Sequence, residues 1–308
     1  RRQRQMCIRD RLSLFDTSAL SSGGTADLFW GELAGEEGAA PVSASTPLII
    51  PRTDYRLVGT RHLGATWKER ARDNIAAIRL LAELEKEDRA ATTAEQDVLI
   101  RFTGFGAGEL ANSLFPHGND GFRAGWEDIG RALHDSTSDA ERAGLMRATQ
   151  YAHYTPELMV RSLWDMVTRM GFSGGRVLEP GCGTGLFIAT RPEKLEGKMA
   201  FTGIENDSLT ARIARALYPN QWIRQEDFTK TVPGERYELV IGNPPFSNRT
   251  VRGADTIGRL RLSLHDYFIA RSVEALRPGG IAVFVTSRHT MDKRDTTARA
   301  HIASICLL

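Results

Sequence analysis

The six residues Ile241-Gly242-Asn243-Pro244-Pro245-Phe246 bring an amide, two rigid carbonyls and an aromatic ring together in one short stretch. They follow Tyr237-Glu238-Leu239-Val240, an apolar run that reads as a buried strand. Two consecutive prolines end that strand, because neither can donate to a sheet ladder. Each proline also pushes the residue before it towards an extended conformation. A stiff loop at the carboxyl end of a strand is where open α/β sheets bind ligands. Its groups suit the grip of a flat molecule that bears an NH2 group. The structural alternative is a Pro-Pro turn with Phe246 as a core residue. Alone, the tetrapeptide leaves both readings open.

Three more strand ends carry chemistry. Arg176-Val177-Leu178 runs into Glu179-Pro180-Gly181-Cys182-Gly183-Thr184-Gly185. A glycine-rich turn after a strand lets a ligand approach the backbone closely. A lone G-x-G-x-G is a weak signal, but here Glu179 closes the strand. An acid there disfavours a pyrophosphate and favours a cationic or hydroxyl-bearing ligand. No Gly-Lys-Ser/Thr follows, which excludes a nucleoside triphosphate loop. The strand Ala200–Ile204 ends in Glu205, 26 positions after Glu179. An acid at the second strand end grips ribose hydroxyls in doubly wound folds. The alternative is a charge placed before the helix expected at 208–217. The strand at 222–225 leads to Asp227 and Phe228, an acid and an aromatic that suit an exocyclic amine and a purine face.

With these motifs in order, residues 148–287 resemble an S-adenosylmethionine-dependent N6-adenine DNA methyltransferase. Tyr154-Thr155-Pro156 resembles the family's cofactor motif ahead of the glycine loop. Glu179, Pro180, Gly181, Gly183 and Gly185 resemble the cofactor loop, and Asn243-Pro244-Pro245-Phe246 the catalytic loop. The resemblance implies a Rossmann-like class I methyltransferase sheet, S-adenosylmethionine as cofactor and DNA as partner. It assigns Asn243, Pro244, Pro245 and Phe246 to catalysis. It assigns Tyr154, Thr155, Pro156, Glu205, Asp227 and Phe228, with the glycine loop, to the cofactor. The segment from about 66 to 150 also resembles the region before the methylase in methyltransferase–helicase fusions of phages and mobile elements. There the catalytic loop often reads Asn-Val-Pro-Phe, whereas Pro244 stands here. A helicase in the same parent chain is a further expected partner. Two rival readings stay open: a methyltransferase of RNA bases or of a protein glutamine amide, and a cofactor-binding DNA-docking module without turnover. Tyr154-Thr155-Pro156 ahead of the glycine loop favours DNA.

These loops need elements to hold them. Thr155 can cap a helix whose first residue is Pro156, with Met159, Leu163, Met166 and Val167 facing a core. Further back, Ile75, Ile78, Leu81 and Leu84 mark a helix over 66–89. Thr93 with Gln96 resembles a capping box for the next one. Helices are expected near 124–135 and 138–149. The glycine-rich loop 103–108 fits either a ligand contact or a structural turn. A helix is expected at 265–276, and a strand over 281–285 follows Pro278-Gly279-Gly280.

Hydrophobic residues at 41% and charged residues at 25% are ordinary proportions, so a soluble globular chain is the expected class. No apolar run approaches the ~20 residues of a membrane span, and no secretory signal is visible. The cytoplasm is the default. The net charge of +2 misleads: residues 1–12 hold five Arg against one Asp, which leaves −2 for the remainder. Met6-Cys7-Ile8-Arg9-Asp10-Arg11 looks like a translated transposon end of a sequencing library, and Cys306-Leu307-Leu308 like its opposite strand. The alternative is a basic arm that binds nucleic acid. With those ends set aside, Cys182 is the one cysteine left, which rules out a disulfide framework. No Cys/His spacing suggests zinc.

The expected organisation is therefore an adapter end at 1–12 and a Ser/Gly/Ala/Thr-rich flexible linker at 13–64, in which Phe29 and Trp30 are a weak docking signal. A helical region at 65–147 and a truncated methyltransferase domain at 148–308 follow. The last strands of the resembled fold are expected to be missing, which would leave 281–285 as an apolar edge.

Overall fold

Alternation along the apolar strands decides the architecture. Val177, Leu239 and Ile241 enter one core, while Leu178 and Val240 enter another. Central strands that bury both faces need helices on both sides, as in parallel α/β sheets. The computed structural model describes residues 52–115, 121–149, 155–231, 236–286 and 289–307. The suspect N-terminal end, residues 13–51 of the expected linker and Tyr154 lie outside the described residues.

Five strands, β1 (Gly175–Pro180), β2 (Met199–Glu205), β3 (Trp222–Gln225), β4 (Tyr237–Gly242) and β5 (Leu276–Phe284), form one sheet. Every pairing is parallel and the order is β3-β2-β1-β4-β5. The chain winds outwards from β1 in both directions, so the switch point lies between β1 and β4. This is the Rossmann-like sheet expected, preceded by a helical region. β5 begins earlier than the strand expected at 281–285 and takes in Pro278; it is one of the two edge strands of the sheet among the described residues, β3 being the other.

The helical region comprises α1 (Trp67–Glu87), α2 (Thr93–Leu99), α3 (Gly108–Leu114), α4 (Glu127–Asp135) and α5 (Asp139–Ala148). Thr66 and Glu69 close a reciprocal capping box on α1. On α2 the box belongs to Thr92 and Glu95, one position before the pair expected. Gln96 is instead drawn inwards, where its side-chain amide donates to the Thr53 carbonyl (2.8 Å).

Within the sheet domain lie α6 (Glu157–Arg169), α7 (Leu186–Ala189), α8 (Ser208–Leu217), α9 (Thr256–Arg259), α10 (Leu264–Glu274), α11 (His289–Asp292) and α12 (Thr297–Ile305). α6 corrects two expectations. Pro156 is its extended N-cap and no side chain caps it, so Thr155 serves elsewhere. The buried face is Val160, Trp164 and Val167, with Met159 and Met166 turned outwards. Both patterns have helical spacing, and Trp164 selects the inward one by its bulk and by donating from its indole N–H to the Phe187 carbonyl (3.1 Å).

Residues 52–64, the described part of the expected linker, are packed in place. Tyr55 and Leu57 are buried, and their backbone N–H groups donate to Leu217 (2.8 Å) and Ala189 (2.9 Å). At the other end, Ala298 and Ile302 of α12 join the core around α10. No helix among the described residues is long and apolar enough to cross a membrane.

Candidate active site

The carboxyl ends of β1, β2, β3 and β4 open on one crevice. After β1 the glycine loop folds back onto β2: the N–H groups of Gly181 and Cys182 both donate to the Ile204 carbonyl, at 2.8 and 3.0 Å. Gly181 and Gly183 have φ of +70° and +55°, which suits glycine. Gly185 supports the loop from behind. A Cβ there would sit 2.5 Å from the Tyr218 ring, and the Tyr218 hydroxyl donates to the Gly185 carbonyl (2.7 Å).

Glu205, at the end of β2, joins this loop to the next helix. One carboxylate oxygen accepts from the Gly183 N–H (2.9 Å), the other from the Asp207 N–H (2.8 Å). Asp207 in turn caps α8 through the Thr210 N–H (2.9 Å). Asp227 is shaped by its own turn, accepting from the N–H and hydroxyl of Thr229 at 2.9 and 2.7 Å. Phe228 is buried with its ring 4.8 Å from that of Phe268.

A cavity of about 560 Å³ runs along these ends. Thr155, Glu179, Gly181, Gly183 and Glu205 line it, together with Asp227, Phe228, Asn243 and Pro245. Pro156, Pro180, Gly185, Pro244 and Phe246 are not among its lining residues. The Phe246 ring stacks on His265 instead, at 4.8 Å between centroids and 20° between planes.

The helical region supplies part of the lining, and the share that comes from α5 was not legible as a site in the sequence. Phe105 and, from α5, Glu141, Gly144 and Arg147 face the cavity. A Cβ on Gly144 would lie 2.8 Å from an Asp207 carboxylate oxygen, so α5 meets the α8 cap at backbone range. A glycine inside a helical pattern was the one local signal for such an approach. The 103–108 loop proves both structural and cavity-lining. Buried Asn74 donates to the Gly104 carbonyl (2.6 Å) and accepts from the Thr103 N–H (2.8 Å).

The cleft is acidic by construction. One Glu179 oxygen is buried with no hydrogen-bond partner among the described residues. Burial, and then the charge of Glu205, hold its pKa well above the usual carboxylate range. Burial chiefly, against the opposing backbone amides, pushes Glu205 up to about 7. A carboxyl raised from 4.5 to about 7 binds protons more tightly in the folded state. Its favourable contribution is therefore complete below about pH 4.5 and is lost as pH rises through about 7. Thermal melts of the ligand-free protein should show this decline, and Glu205→Gln should flatten it. A variant profile parallel to the parent's would put the raised group elsewhere.

Residues 156–299 match the family model for the methyltransferase small domain. The chain is 29% identical over 132 residues to the defense against restriction protein B of Escherichia phage P1, covering 42% of this chain and 6% of that protein. It is 34% identical over 130 residues to a Type II methyltransferase of Thermus thermophilus, covering 36% of this chain and 29% of that protein. A solved S-adenosylmethionine-dependent methyltransferase from Clostridium acetobutylicum superimposes with a TM-score of 0.33 at 11% identity, over 45% of this chain and 54% of that one. The chain thus spans less than a third of the length of these curated relatives. These matches support an S-adenosylmethionine-dependent methyltransferase domain over residues 156–299, with S-adenosylmethionine as its cofactor. The donor set fits that molecule: two clustered carboxyls suit its positive charge and its ribose hydroxyls.

Proposed function

We propose that this chain methylates the N6 amine of adenine in DNA, acting on a base flipped out of the duplex. The observation that carries this reading is the shared cleft. Asn243, from the catalytic loop, lines the same cavity as Glu205 and the glycine loop. In this reading Glu205 holds the ribose hydroxyls. Glu179 with Gly181 and Gly183 meets the methionine end, and Asp227 with Phe228 meets the cofactor's adenine. The bound cofactor supplies an electrophilic methyl group on a sulfonium.

The N6 lone pair of adenine is delocalised into the ring and is a poor nucleophile. Hydrogen bonds from the amine to the Asn243 side-chain oxygen and the Pro244 carbonyl draw it towards tetrahedral geometry. The lone pair would then be free for in-line attack on the sulfonium methyl carbon, the C–S bond would break with its electron pair on the thioether sulfur, and the protonated product amine would lose its proton to water. No general base is needed before attack. Catalysis rests on positioning and on acceptors aimed at developing positive charge.

A polyanionic partner suits the segment after the catalytic loop. Between 247 and 263 stand four arginines, Arg249, Arg252, Arg259 and Arg261, against one acid, Asp255. All four arginines are exposed, and Arg249 lines the cleft. Such a cluster suits phosphate contacts beside the flipped base. Relatives whose names refer to restriction and to Type II methyl transfer favour the same setting.

Tritiated methyl transfer to DNA, RNA and protein, run side by side, tests the proposal. The expected label is N6-methyladenine in DNA. Label in RNA or on a glutamine amide would replace this reading with the corresponding rival. Cofactor binding without transfer to any of the three would favour a docking module.

A further inference from the structure

Three consecutive residues of the proline loop converge on His265, the second residue of α10. The His265 Nδ1 lies 3.2 Å from the Pro245 carbonyl oxygen. Its ring stacks on Phe246, with centroids 4.8 Å apart. Its backbone N–H donates to the Ser247 carbonyl (3.4 Å). His265 itself is not among the cavity-lining residues.

The partners assign the proton. A carbonyl only accepts, so Nδ1 carries the hydrogen. Burial chiefly lowers the pKa of the ring, which favours its neutral form, against the Pro245 carbonyl, the carboxylate of Asp266 and the Pro244 carbonyl, and with the nearby ammonium of Lys293. The other nitrogen, Nε2, is then the acceptor, and its partner at 2.7 Å is the Thr286 hydroxyl. With its proton turned to His265, the Thr286 oxygen accepts from the buried Thr290 hydroxyl, 2.9 Å away. A single direction of donation follows: Thr290 to Thr286, Thr286 to His265, His265 to the Pro245 carbonyl.

This chain ties the end of β4 to the segment that leaves β5. The proline loop needs such a tie, because neither Pro244 nor Pro245 can donate a hydrogen bond of its own. A small rotation in it would carry Asn243 away from its place in the cleft lining. Misplacement by about 1 Å can cost on the order of 100-fold in rate.

We propose that His265 is the positioning residue of the catalytic loop, holding the Pro245 carbonyl and the Phe246 ring so that Asn243 stays in place in the cleft lining. The inference rests on the methyl-transfer reading above and adds to it a residue that touches neither cofactor nor target.

Two variants and one spectrum test it. His265→Phe keeps a stacking ring and loses the donor. His265→Asn keeps an N–H donor near the Nδ1 position and loses the ring. For His265→Phe, kcat for transfer to DNA should fall roughly 10- to 100-fold, while the S-adenosylmethionine Kd from calorimetry stays within about twofold. His265→Asn should recover most of that loss. Histidine ¹⁵N spectra of the parent at pH 8 should show an Nδ1-protonated, Nε2-unprotonated ring. Parent kcat in His265→Phe, or no recovery in His265→Asn, would overturn the assignment. So would a ring protonated on Nε2. The spectrum uses the parent protein alone, so it decides the hydrogen-bond assignment even where a variant does not fold. If the parent transfers no methyl group to any acceptor, the methyl-transfer reading fails, and the tautomer still judges the clamp separately.

Discussion

Asn243→Ala should lower kcat for methyl transfer to DNA by about 10²- to 10³-fold, the loss seen when one aimed polar group is removed from a transition state. S-adenosylmethionine should bind almost as before. Asn243 stands at the end of β4, two strand positions from Glu205 across the sheet order, and lines the cleft from the catalytic side. Its contacts with the amine strengthen only as that nitrogen becomes tetrahedral. An interaction made only in the transition state lowers kcat and kcat/KM together and leaves ground-state binding alone. Single-turnover transfer and cofactor calorimetry on the same preparation separate the two. Equal losses in both would move Asn243 into the cofactor site, and no loss in either would remove it from the mechanism.

Glu205→Ala should weaken S-adenosylmethionine binding by about 1.5–3 kcal/mol, the range for hydrogen bonds to a charged group. That is roughly a 10- to 150-fold rise in Kd. The carboxylate already organises the Gly183 and Asp207 amides, so its removal loosens the glycine loop as well as the grip on the ribose. A pH signature distinguishes the two contributions. The ionised carboxylate binds hydroxyls and a cationic ligand better, and its pKa in the ligand-free protein is about 7. Parent affinity should therefore tighten as pH rises through about 7 and then level off, with a proton released on binding. Glu205→Ala should lose that pH dependence. Calorimetry at pH 6 and pH 8 in two buffers measures both affinity and proton release. Unchanged affinity in a folded variant would sink the assignment.

What the sequence determined by itself was the chemistry at each strand end. An apolar run followed by an acid, glycines or two prolines places a strand and its loop with local information alone, because backbone sterics act within a few residues. The loops carrying Glu179, Glu205, Asp227 and Asn243 were legible for that reason, and α8 spans the residues its pattern marked. Tertiary structure decided everything that depends on a distant partner. The buried face of α6 follows from the contact of Trp164 with Phe187, since two helical faces fit its sequence. The approach of Gly144 to Asp207 joins the helical region to the cleft across 63 positions of chain. Phe246 reads as a stacking face in sequence, and only the fold brings His265 against it. The raised pKa values of Glu179 and Glu205 have the same origin. Both are plain acids in the sequence, and their burial beside one another exists only after β1 and β2 pair, because desolvation and charge repulsion depend on what surrounds a group in space.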